Sequence, residues 1–107
     1  MIQLIDIKKV EQSSSFTIHH FKDIGIQHGS LFNMILATVQ PLCSTDRDQH
    51  TVKECWLITQ GEGVLTLNNT ELSKVSKGQL IFFDSMVSHQ LHNPSVDTCL
   101  EFVSVWW

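Results

Sequence analysis

The chain reads as an all-β protein, on three observations. Its apolar residues fall in short runs rich in valine, isoleucine, phenylalanine and tryptophan, the residue types that suit a pleated, half-buried surface. Glycine, asparagine and proline punctuate those runs at regular spacing, the pattern of a sandwich or barrel. Two glycine-punctuated blocks, DQHTVKECWLITQG at 48–61 and GQLIFFDSMVSHQLHN at 78–93, place His50, Glu54 and His89 on separate strand-like pieces that a small closed barrel would bring together.

Each element has its own signal. Residues 15–21 and 31–39 are extended candidates, with Asp23, Gly25 and Gly29 marking a turn across 22–30. Residues 41–46 form a polar loop that leads to the first block. After Glu54 comes CWLIT, β-branched and aromatic, stopped by Gly61 and Gly63. Residues 63–67 and 70–75 flank Asn68 and Asn69, which tolerate the left-handed conformation a tight hairpin needs. Lys77 and Gly78 make the next turn, followed by strands over 79–83 and 88–93, a break at Pro94 and Ser95, and a last strand over 98–107. That makes about eight strands.

The spacing within the first block constrains the backbone. On a straight strand the four-residue step from His50 to Glu54 spans roughly 13 Å, too far for one ion, so the chain must bend between Thr51 and Lys53. Two imidazoles and a carboxylate form the ligand set that suits iron, manganese, nickel or zinc. Asp48, two residues before His50, shares its face if that segment is extended and is a candidate fourth ligand. Either histidine alone would more often be a surface or core residue; the joint spacing with Glu54 lifts both.

These residues carry a family resemblance. The first block resembles the first motif of the cupins, a His-x-His pair, three or four residues, Glu, six residues and Gly: His50, Glu54 and Gly61 match, and Asp48 stands where the first histidine would be. The second block is similar to the second cupin motif, in which Gly78, His89 and Asn93 match while Asp84 and Met86 replace a proline and a glycine. The resemblance implies a double-stranded β-helix, or jelly-roll, barrel over residues 1–107 as one domain, with a divalent metal held by His50, Glu54, His89 and Asp48. Aspartate in place of histidine tilts the site toward manganese or ferrous iron. Loss of Pro-x-Gly implies a looser connection over 84–88 and a less firmly placed His89.

Composition bounds the function. The 107 residues have room for one core, which 42% hydrophobic content can fill. A net charge of −4 with no basic run argues against a nucleic-acid partner, and no apolar stretch is long enough for a membrane span or a leader, so the chain is expected to be cytoplasmic. Cys43, Cys55 and Cys99 lack a Cys-x-x-Cys spacing and read as reduced thiols. Leu80 to Phe83 and the C-terminal VSVWW are apolar on both faces, so a homodimer is expected to cover the outward side.

Trp56 follows Glu54 by two and Leu91 follows His89 by two, so both are expected on the ligand face, as pocket walls or as plain core. His92 faces away from His89, Cys55 points away from Glu54, and His19, His20 and His28 read as exposed. Asn93 reads as a turn-fixing residue before Pro94. Two functions stay open: a metal-dependent enzyme, for which the cupin resemblance implies dioxygenases, isomerases and decarboxylases, the last two weakened because no free proton-handling side chain is legible on the inward faces, or a non-catalytic module that binds a small sugar or anionic metabolite.

Overall fold

The computed structural model describes residues 6–21 and 32–107. Among these residues nine strands follow one another: β1 (Ile7–Gln12), β2 (Phe16–Phe21), β3 (Asn33–Val39), β4 (Glu54–Gln60), β5 (Glu62–Leu67), β6 (Glu71–Ser76), β7 (Leu80–Phe83), β8 (His89–His92) and β9 (Leu100–Trp106). They form two antiparallel sheets, six strands in the order β1-β2-β3-β9-β4-β7 and three in the order β6-β5-β8. Eight correspond to the expected strands, with ends shifted by a residue or two. Leu31, the turn across 22–30 and His28 lie outside the described residues.

β1 is the strand the sequence did not announce. IKKVEQ has little apolar content to bury, and all six residues are exposed. Among the described residues its only strand neighbour is β2, which puts it at the edge of the sheet. Lys9 and Glu11, paired at 2.9 Å, put charge on that edge, a common guard against pairing with another chain.

The core lies between the sheets, where alternation sends every second side chain inward. In register, Ala37 lies opposite Phe102 and Val39 opposite Leu100, while Ile58 also faces Phe102. Leu65 and Leu91 bring the three-stranded sheet to the same cluster. Leu91 therefore belongs to the core, fully buried, and does not line the cavity described below. The reason is Gly63: a Cβ there would lie 2.8 Å from Leu91 Cδ1 and 2.9 Å from Leu100 Cδ2, so Leu91 fills the space a side chain at 63 would take.

The turns behave as their residues require. Asn68 and Asn69 both adopt left-handed backbone, φ 50° and 66°, and close the β5–β6 hairpin. Asn68 also accepts from Ser88 N at 3.1 Å, which ties that hairpin to the entry of β8. Asn93 is buried and does more than shape the Pro94 turn: its Nδ2 donates to Val39 O at 3.1 Å and Thr98 O at 2.8 Å, binding the turn to β3. Gly61, φ 86°, passes so close to the β9 entry that a Cβ would lie 3.0 Å from Cys99 O.

Candidate metal centre

Three segments build the site, and each has a local reason to be there. The chain over 44–48 runs antiparallel to β8 as isolated bridges, Ser44 opposite His92 and Asp48 opposite His89. Asp48 and His89 exchange both backbone hydrogen bonds, at 3.0 and 2.9 Å, which puts their side chains on one face. The expected bend follows at Thr51 and Val52, and β4 then opens with Glu54 pointing inward. The bend folds His50 back over Glu54, with Nε2 2.9 Å from Oε1.

His89 approaches the same oxygen from β8. Its Nε2 lies 3.1 Å from Glu54 Oε1, so both imidazoles converge on one carboxylate oxygen. Asp48, His50 and His89 each offer a ligand atom within 4.8 Å of the others, and Asp48 Oδ2 is 3.8 Å from His50 Nε2. The two histidines thus meet Glu54 on one side and Asp48 on the other, in two overlapping sets of three.

What surrounds them sets their chemistry. Trp56 Nε1 donates to Glu54 Oε2 at 2.7 Å and Ser104 Oγ donates to the same oxygen. Burial pushes the Glu54 carboxyl up, but the hydrogen bonds from His89, Ser104 and Trp56 outweigh it and hold the group down at about 2. Burial pushes the His89 imidazole down, and its bonds to Glu54 and Val87 O reverse that and raise it. The His50 Nδ1 lies 3.2 Å from Val52 O and the His89 Nδ1 3.0 Å from Val87 O. A carbonyl only accepts, so both Nδ1 atoms carry a proton, and in the neutral ring Nε2 presents a lone pair.

That arrangement tests whether a metal suits the residues. Two lone pairs and an ionised carboxylate oxygen face one another at hydrogen-bond distance, which requires either extra protons or a cation between them. The donor set of two imidazoles and two carboxylates is one that divalent manganese, iron, nickel and zinc accept. The backbone carbonyls behind both rings are the outer partners that ligating histidines generally have. The residues fit.

A cavity of ≈370 Å³ opens beside this cluster, with Glu54, Trp56, His89 and Ser104 on its inner side. Phe16 and Ile18 of β2, Ile35 and Ala37 of β3, and Phe102 of β9 make an apolar wall. Thr45, Asp46, Arg47 and Asp48 form the rim. Trp56 is both wall and core, since its ring stacks on Phe102 at 4.2 Å and meets Phe83 at 4.8 Å edge-on.

Residues 35–106 match the cupin domain family. The chain belongs to that family. Among solved structures, this cupin is similar to a predicted oxalate decarboxylase from Thermotoga maritima, with TM-score 0.73 and 26% identity over 85% of this chain and 78% of that one. A Cupin 2 conserved barrel domain protein from Salinispora arenicola gives a TM-score of 0.82 at 16% identity over 100% and 89% of the two chains. The polyketide cyclase RemF from Streptomyces resistomycificus gives 0.76 at 19% over 99% and 79%. The last two likenesses establish the jelly-roll barrel alone.

The departures from the cupin motifs turn out differently from the expectation of a loose His89. Met86, at the position of the motif glycine, adopts the left-handed φ of 68° itself, and Met86 N donates to His50 O at 2.7 Å. Gln49 Nε2 donates back to Met86 O at 2.8 Å. The turn is clamped to the His50 loop, and His89 is only 2% exposed.

Other residues also differ from their expected roles. His19 and His20 are half-buried, because β1 and β3 flank them on both sides. His92 bonds Ser44 Oγ through Nδ1 at 2.7 Å and stays off the site, as its position three after His89 requires. The cavity does hold an acid beyond the ligand set, Asp46, which alternation along strands could not place because it sits in the rim segment. Ser104 was missed as well, although a lone serine within an apolar strand, two residues after Phe102, is a signal for a buried polar task.

Proposed function

We propose that this cupin is a small metalloenzyme that holds one divalent first-row metal through His50, Glu54 and His89, with Asp48 as fourth ligand, and acts on a small molecule in the adjoining cavity, as a metal-dependent dioxygenase or a related small-molecule enzyme. The observation that carries the reading is the convergence of two backbone-anchored Nε2 atoms on Glu54 Oε1, at 2.9 and 3.1 Å. A metal bound there supplies Lewis-acid and redox chemistry at its open positions.

The chain's own residues do the rest. Val52 O and Val87 O fix the orientation of the two rings. Trp56 and Ser104 hold Oε2 and thereby aim Oε1 at the site. The wall of Phe16, Ile35 and Phe102 excludes water from one side of the substrate, and Asp46 offers a carboxylate that can exchange a proton at the mouth.

The test is elemental. Protein incubated with ferrous iron, manganese, nickel or zinc and then desalted should retain close to one equivalent of one of them, and His89→Ala should retain far less while keeping its β-sheet spectrum. Wild-type protein that stays metal-free with all four ions would sink the enzyme reading and leave the non-catalytic binding module. The chain works in a reducing compartment on this reading, in line with three free cysteines; among the described residues, no helix is long and apolar enough to cross a membrane.

A further inference from the structure

The cavity is lopsided in charge. Its body is apolar, its inner end carries Glu54 and His89, and its rim carries Asp46, Arg47 and Asp48. Arg47 is the only arginine in the chain and the only lysine or arginine among the lining residues. Flanked by two aspartates, an exposed arginine would ordinarily pair with one of them. It pairs with neither, and among the described residues it has no hydrogen bond or ion pair. Asp48 is engaged elsewhere, with Oδ1 accepting from Gln49 N at 2.9 Å and Oδ2 3.8 Å from His50 Nε2.

We propose that Arg47 is the anchor for a carboxylate on the ligand, so that the cavity selects small monocarboxylates with an apolar body. The planar guanidinium presents a fork of N–H donors that matches a carboxylate in a bidentate pair, and this one is uncommitted. A solvated loop arginine would have no such site beside it; Arg47 lines the same cavity as Glu54 and His89. The volume of ≈370 Å³ lies near the lower end for small-molecule sites, room for a ring or a branched chain and a head group. Phe16, Ile18, Ile35, Ala37 and Phe102 receive the apolar body. In the metal-free cavity, where Arg47 is the one cation among Asp46, Asp48 and Glu54, a dicarboxylate or a phosphate is disfavoured because its second negative charge has no partner and three acidic neighbours. Aryl and branched-alkyl carboxylates, keto acids included, are the class that remains.

As a statement of substrate class this rests on the metal-centre reading, but ligand binding can be measured without metal. Benzoate and its neutral analogue benzamide differ only in the group Arg47 would recognise. Calorimetric titration of the metal-free full chain should show saturable benzoate binding, about tenfold or more weaker in Arg47→Gln and partly restored in Arg47→Lys. Benzamide should bind wild type more weakly than benzoate and be indifferent to both substitutions. Because Arg47 makes no hydrogen bond or ion pair among the described residues, the variants should melt with wild type, which a thermal scan checks. Equal benzoate affinity in wild type and Arg47→Gln, no preference for benzoate over benzamide, or no saturable benzoate binding would each overturn the proposal. The metal assay separates the two ideas. Arg47-dependent binding in a chain that retains no metal leaves this inference standing and the metalloenzyme reading fallen, and a metal-retaining chain indifferent at Arg47 does the reverse.

Discussion

Glu54 is where the chemistry of the site and the stability of the fold meet. Its carboxyl is held at about 2 against an ordinary 4.5, so in the metal-free protein its contribution is full above 4.5 and disappears as the pH falls toward 2. The His89 imidazole is raised above its ordinary 6.5, so its contribution is full below 6.5 and is lost as the pH rises through the raised value. Thermal melts of metal-free protein should therefore peak between those limits. Bound metal should flatten the alkaline arm, because a ligating imidazole must be neutral. A melting temperature that kept rising above 6.5 in metal-free protein would contradict this.

Ser104 and Met86 offer two further tests at the same scale. Ser104→Ala leaves Glu54 Oε2 with Trp56 as its remaining donor and should lower metal affinity about 10- to 100-fold, with a loss of about 1 kcal/mol in stability. Competition with a chelator reads the first and denaturant titration the second. Met86 holds a left-handed φ of 68° with its side chain half exposed, so Met86→Gly relieves backbone strain without emptying the core. We expect a gain of roughly 0.5–1 kcal/mol, net of the flexibility glycine adds to the unfolded chain. An unchanged or lower denaturation midpoint would show that the left-handed turn carries no cost.

At the scale of elements, the site depends on a segment that is not a regular strand. Residues 44–48 touch β8 through isolated bridges, and that partial pairing lets the chain leave the sheet at Asp48, bend at Thr51 and Val52, and return as β4. The bend was legible from ligand spacing; the partner strand was not, because alternation within a segment carries no information about its neighbour across a sheet. The β4–β5 connection is as tightly set. Gly61 combines φ 86° with a backbone oxygen 3.0 Å from where a Cβ would sit. Gly61→Ala should cost at least about 1 kcal/mol and lower the denaturation midpoint with no loss of metal per folded chain.

At the scale of the whole molecule, one face of the six-stranded sheet is unusually apolar. Register aligns Leu36, Val103, Leu57 and Leu80 in one row across β3, β9, β4 and β7, and Met34, Val105, Cys55 and Phe82 in the next. Leu80 and Phe82 are 67% and 55% exposed. We expect a second copy to cover these rows sheet to sheet, and light scattering at micromolar concentration to give about twice the chain mass. Phe82→Lys together with Leu80→Lys should then yield a monomer that keeps its metal stoichiometry. A monomeric wild type would remove the dimer and leave the metal centre untouched.

The sequence by itself determined the all-β class, eight of the nine strands among the described residues and the bend after His50, and it singled out Asp48, His50, Glu54 and His89 as candidates, because side-chain alternation, turn residues and ligand spacing are local properties of the chain. It did not determine β1, whose polar residues pair through backbone groups that every residue possesses. Only the tertiary structure decided that Leu91 is core, that Met86 does the work of a glycine, that Ser104 and Trp56 hold Glu54, and that Arg47 faces the cavity. Each of those depends on which segments the two sheets bring into contact, and contact between residues distant in sequence is fixed by the packing of the whole barrel.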